Sequence, residues 1–179
     1  MVLSSNSYTH RGGWDESTRA IPALAFIEKY VSVVDSVQFS GPSHRWYAPS
    51  STFYNGDGVA YRGGDQVWDW MKGLFGPFST VSHNFKITRL LTPDADEVAP
   101  GRDAQWILFD CETSFSVKDP LLAGDPITIP RMLMFLVGRS EIEGQGTDGL
   151  QILEAKAWWD TGVLNRELAA REERRGLSQ

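Results

Sequence analysis

The sequence predicts an α+β fold in which a curved sheet wraps around a long N-terminal helix, leaving a cone with a pocket at its open end. Three observations predict it. Helical periodicity dominates up to about residue 75, interrupted by one short hairpin; the pattern then switches to a period of two in four long segments; and the early helices are the only elements available to cover one face of that sheet.

Residues 1–17 are polar and Gly/Ser-rich and read as a flexible arm. Ser17 or Thr18 can cap the first helix, which tolerates Pro22 in its opening turn. Leu24, Ile27, Val31, Val34 and Gln38 recur at helical spacing as one buried stripe, and Gly41-Pro42 ends the run. A short helical piece follows at about 43–47. Strand candidates at 51–55 and 59–62 are joined by the turn signal Gly56-Asp57-Gly58. A second amphipathic helix spans about 65–75 and stops at Gly76-Pro77. Strands are expected at about 79–91, 104–117, 127–139 and 149–160, separated by turn-rich segments at 93–103, 119–125 and 143–149. A charged helix closes the chain from Val163 to about Arg175. One domain is expected over residues 18–165, with residues 166–179 as a charged C-terminal helix or tail.

Composition narrows the function classes. The 179 residues are 41% hydrophobic and 22% charged, as in ordinary globular proteins. A formal net charge of -6 with no basic cluster argues against nucleic acid or an anionic membrane as partner. The single cysteine, Cys111, excludes an internal disulfide framework and a cysteine-based zinc site. No apolar run is long enough to span a membrane, and the opening residues lack the apolar core of a secretory signal, so the expected location is cytoplasmic. Seven Trp in a chain that is 12% aromatic suggest an aromatic-walled cavity.

Strand alternation sorts the faces. In the 79–91 strand Val81, His83, Phe85 and Ile87 share the apolar face. Ile107, Phe109, Cys111, Thr113 and Phe115 do so in the next, and Leu153, Ala155, Ala157 and Trp159 in the last. The opposite face carries Lys86, Asp110, Glu112, Glu154 and Lys156, a ladder of cross-strand ion pairs. His83 is then the one titratable group expected inside, with small alanines beside it. Both faces of the 127–139 strand are apolar, which suits a sheet covered by a second subunit, a homodimer.

The order of elements, the stretch RWYAPSSTFYNGDGVAYRGGDQVWDWMKGLFGPFSTVSHNF and the closing AKAWWDTGVL resemble the nuclear-transport-factor-like, or SnoaL-like, cone-shaped α+β barrels. That superfamily includes polyketide cyclases, ketosteroid isomerase, limonene epoxide hydrolase and scytalone dehydratase, and the resemblance covers about residues 20–165. It implies the fold more specifically than the reaction. The likeness to scytalone dehydratase implies a trio: Asp35 on the first helix, Tyr54 in the first strand and His83 opening a later strand. The second histidine of that active site has no counterpart, since the matching stretch reads WILFDCE, and its substrate-binding asparagine and serine fall on apolar positions or on Arg131. A different reaction on a related scaffold is implied.

The expectation is a cofactor-independent dehydratase, isomerase or cyclase acting on a small apolar oxygenated metabolite of polyketide or terpenoid type, with no metal. His83 would be the general acid or base, Asp35 its partner and Tyr54 the oxyanion donor. Phe85, Phe109, Trp159, Arg131, Tyr47 and Leu153 would contact the substrate. Each has a plainer alternative: His83 as a hydrogen-bonded core residue, Asp35 as a solvated helix residue, Tyr54 as a rim aromatic, Arg131 as a solvated rim charge. Two other functions stay open, a non-catalytic binding module and a pericyclase-like pocket that mainly shapes its substrate.

Overall fold

The computed structural model describes residues 8–94, 97 and 103–177. The first seven residues of the expected arm, most of the 93–103 turn segment and the last two residues of the tail lie outside these. From residue 8 onward the expected arm is structured. Strand β1 (Thr9–Arg11) pairs with β4 (Phe78–Leu91), and a four-residue helix α1 (Glu16–Arg19) follows. Asp15 initiates α1: its carboxylate accepts the Thr18 backbone N–H at 3.0 Å, and Thr18 Oγ1 accepts the Asp15 N–H at 2.9 Å. This reciprocal capping takes the place expected of Ser17 or Thr18 and separates α1 from the long helix α2 (Pro22–Asp35), where Pro22 occupies the first turn. Helix α2 ends at Asp35, and Val37 turns the chain with φ +54°, so Gln38 is exposed and leaves the buried stripe.

A 3-10 turn (Ser43–Arg45) leads into β2 (Tyr47–Tyr54), β3 (Ala60–Arg62) and helix α3 (Gly64–Phe75). Then come β4, β5 (Ala104–Val117), β6 (Ile127–Arg139) and β7 (Leu150–Trp159), and α4 (Thr161–Leu177) closes the chain. The seven strands form one mixed sheet in the order β1-β4-β5-β6-β7-β2-β3, antiparallel throughout except for the β2–β7 pair. The sheet is open, with β1 and β3 at its edges, and is not closed into a barrel. Helix α2 lies on the inner face, where Tyr30 stacks edge-on against Phe135 of β6 at 5.9 Å, and Phe75 of α3 stacks on Phe115 of β5 at 6.3 Å.

Of the register irregularities among the described strands, two alter the expected inner-face residues. Between Phe85 and Ile87 the register to β5 slips, so Thr88 and Leu90 point inward and Ile87 leaves the buried set. Between Leu136 and Val137 the register to β7 slips past Leu153, so fully buried Ile152 takes the inner place expected of Leu153. Trp14 packs its ring 4.9 Å from Phe85 and 5.8 Å from Phe109, giving the N-terminal segment a hold on the inner face. On the outer face Lys86 pairs with Glu112 at 3.0 Å and Lys156 with Glu154 at 2.9 Å. Register partners Met132 and Trp158 are exposed there at 45% and 46%.

Candidate active site

His83, in the middle of β4, and Asp35, the last residue of α2, meet on the inner face. The His83 Nδ1–H donates to Asp35 Oδ1 at 2.6 Å, and the His83 backbone N–H donates to Asp35 Oδ2 at 3.3 Å. Because a carboxylate only accepts, the pairing selects the Nδ1–H tautomer and leaves Nε2 as the free acceptor. A carboxylate at a helix C-terminus opposes the helix dipole, so Asp35 serves the histidine at some cost to α2. Burial pushes the His83 imidazole below its ordinary value of 6.5; the hydrogen bond and charge of Asp35 oppose that, and the Arg131 charge adds to it. The imidazole is thereby a neutral base at pH 7.

Arg131 joins them. It stands on the face of β6 that carries Leu133 and Phe135, opposite Cys111 of β5 and Trp159 of β7, and is 7% exposed rather than a solvated rim charge. Its guanidinium carbon sits 4.7 Å from the centre of the Trp159 ring. Burial brings its pKa down to about 10, leaving it cationic at neutral pH. Alternation along β6 puts Arg131 on the same face as Leu133 and Phe135, while the general tendency of arginine toward the surface argued for the rim.

Tyr30 is the phenol of this site. It is buried on α2, one turn beyond Ile27, and its hydroxyl is hydrogen-bonded to Tyr47 and lies 3.2 Å from Met71 Sδ. Burial raises its pKa. Helical spacing from Ile27 and Val34 could have found it. Tyr30, His83 and Arg131 are the polar lining of a cavity of about 30 Å³, walled by Val34, Phe53, Trp70, Leu74, Leu133 and Phe135 among others. That volume holds one or two water molecules.

The other expected site residues lie elsewhere. Tyr54 is 38% exposed on the outer face, its ring 5.9 Å from Lys156 Nζ, because alternation in β2 turns Phe53 inward instead. Phe85 and Phe109 are core partners of Trp14 and of each other. Tyr47 lies behind Tyr30 and does not line the cavity. Trp159 backs Arg131, its Nε1–H donating to Asn55 Oδ1 at 2.9 Å. Leu153 is displaced from the inner face by the bulge. A larger cleft of about 730 Å³ lies on the surface between residues 121–128 and α4. There Arg171 is tied to the backbone oxygens of Leu122 and Asp125. Among the described residues no group of three or more His, Cys, Asp or Glu side chains is placed to hold a metal ion.

Solved structures share this fold. A ketosteroid isomerase-like protein from Erwinia carotovora atroseptica is 13% identical, with 83% of this chain and 99% of that one covered and a TM-score of 0.56. ActVI-ORFA from Streptomyces coelicolor is 14% identical over 76% and 93%, with a TM-score of 0.56. A nuclear-transport-factor-2-like superfamily protein from Salmonella enterica is 15% identical over 80% and 91%, with a TM-score of 0.55. The chain therefore has the nuclear-transport-factor-2-like fold that the sequence resemblance implied. No family model matches the sequence, and no curated protein matches it.

Proposed function

We propose that the protein is a cofactor-independent acid–base enzyme, a dehydratase, isomerase or cyclase, for a small apolar oxygenated molecule of polyketide or terpenoid type. The carrying observation is the Asp35–His83 pair at 2.6 Å, which orients a buried neutral imidazole at the edge of an apolar cavity. His83 Nε2 takes a proton from carbon next to a carbonyl and returns it elsewhere; Asp35 holds the tautomer and stabilises the imidazolium that forms. Positioned acid–base catalysis of this kind contributes about 10²–10⁴-fold. The fold is shared with isomerase-like proteins, which makes such chemistry compatible with the scaffold without identifying it. The exposed Met132–Trp158 pair supports association of two copies through the sheet.

The test is deuterium incorporation from D₂O into the carbon beside the carbonyl of a bicyclic ketone such as 2-tetralone. Wild type should exceed buffer and His83→Asn should not. Exchange that survives in a folded His83→Asn protein rejects the reading. One observation favours the second reading, a non-catalytic module of the same fold: the cavity of about 30 Å³ is far smaller than the roughly 300 Å³ or more of common ligand pockets. Catalysis on anything larger than a head group requires half-buried Trp70 and Leu74 to swing aside.

A further inference from the structure

We infer that Arg131 is an anion-binding residue and that the ligand of this cavity presents to it a planar, delocalised oxyanion, a carboxylate or the enolate of a 1,3-dicarbonyl, on an apolar skeleton. The inference deepens the proposed acid–base role by naming what His83 acts beside. It rests on that reading for its place in a reaction, although its own test needs no turnover.

Arginine at 7% exposure is normally held by a carboxylate. Among the described residues none pairs with Arg131. The acidic groups that could act on it are Cys111 and Tyr30, and burial raises the pKa of both, so neither carries a charge at pH 7. Trp159 satisfies only the flat face of the guanidinium. Its edge is another matter: the Nε–H is shielded from solvent and has no hydrogen-bond partner. A Met or Leu would fill this position without leaving a buried cation uncompensated. An arginine whose one matched partner is a ligand explains the orphan Nε–H.

The chemistry follows from the fork. Parallel N–H donors on a rigid plane match a planar oxyanion, and such bonds are strong where water is excluded. With a carbonyl oxygen against Arg131, removal of the neighbouring C–H proton by His83 Nε2 sends the bonding pair into an enolate whose charge lands on the oxygen facing the guanidinium. Reprotonation at another carbon restores the neutral imidazole, so protons and electrons balance with no co-reactant. The cavity's small volume admits the oxygen-bearing head, and the skeleton requires lining side chains such as half-buried Trp70 and Leu74 to move aside.

The experiment titrates wild-type protein with two matched pairs, benzoate against benzamide and 1,3-cyclohexanedione against cyclohexanone, and follows the Arg131 Nε–H NMR resonance, identified by its loss in Arg131→Lys. At least one anion should shift that resonance saturably and bind at least about tenfold tighter than its neutral match, with the preference abolished in Arg131→Met. Which anion does so separates carboxylate from enolate recognition. Neutral partners that bind as tightly as the anions, or anions that leave the resonance unmoved, overturn the inference; the wild-type titration decides even if Arg131→Met fails to fold. His83→Asn should keep the anion preference. If it also keeps turnover, the acid–base reading fails while the anion site stands; if the anions fail to bind while His83→Asn abolishes exchange, the reverse holds.

Discussion

Asp35 Oδ1 lies 2.6 Å from His83 Nδ1, tying the last residue of α2 to the middle of β4. The two residues are 48 apart in sequence, and neither element could hold the imidazole alone. Each oxygen of Asp35 is used, one on the ring and one on the strand backbone, so the carboxylate sets both the tautomer and the position of the base.

Replacing Asp35 by Asn tests that division of labour. The amide oxygen can still accept from Nδ1–H, but the charge that stabilises the imidazolium is gone. Exchange into a ketone probe should fall by about 10²-fold in kcat, with KM little changed. The His83 Nδ1–H proton resonance, expected far downfield in wild type from the 2.6 Å hydrogen bond, should move upfield. A variant with unaltered kcat and an unmoved resonance would show the pair to be structural packing only.

The pH dependence of stability follows from the sign of the His83 shift. Burial lowers the folded value below 6.5, while the unfolded chain keeps the ordinary one. Well above pH 6.5 both states are neutral and the contribution of this residue is constant. As pH falls through 6.5 the unfolded state takes up the proton first, so stability declines until pH is below the lowered folded value. Urea unfolding of wild type and His83→Gln from pH 7.5 to 5 should show a steeper acid loss in wild type; parallel curves would contradict the buried neutral imidazole.

Much of the fold was legible because long period-two segments are hard to misplace. The expected limits of β5 and β6, 104–117 and 127–139, are those observed. Parity failed where bulges insert a residue, at Lys86 and Leu153, since a bulge leaves no composition signal. In the site, His83 was legible from its strand face, and Asp35 from the resemblance that paired it with His83. Tyr54 was not, because alternation says that Phe53 and Tyr54 diverge but not which goes inward. Arg131 was expected to contact a substrate, with a solvated rim charge as the alternative, and its burial of all but 7% removes that alternative. The N-terminal segment escaped because its order comes from tertiary contacts of Trp14, which local sequence does not announce.

Those contacts make the arm a structural element. Trp14 sits edge-on to Phe85 at 4.9 Å and Phe109 at 5.8 Å, both behind His83 on the inner face. Trp14→Ala should destabilise the fold by about 2–4 kcal/mol, at or somewhat below the range for a fully buried aromatic because this ring is half-buried. The check is the urea midpoint, lowered with an unchanged slope. A midpoint within error of wild type would mean that β1 and α1 only rest on the surface.

Cys111 reports on how tightly the inner face is closed. It is 1% exposed, and burial pushes its thiol up to about 11, with the Arg131 charge only partly opposing. A thiol needs both access and ionisation to react, and here it has neither. At pH 8 a disulfide reagent should therefore modify the native protein orders of magnitude more slowly than the urea-unfolded chain, which reacts fully. Cys111 and Arg131 are register partners on β5 and β6. An anion seated on Arg131 should slow the native reaction further by suppressing the opening that exposes the thiol. Rapid native labelling, unaffected by benzoate or 1,3-cyclohexanedione, would show that this part of the sheet opens freely and that nothing bound there holds it shut.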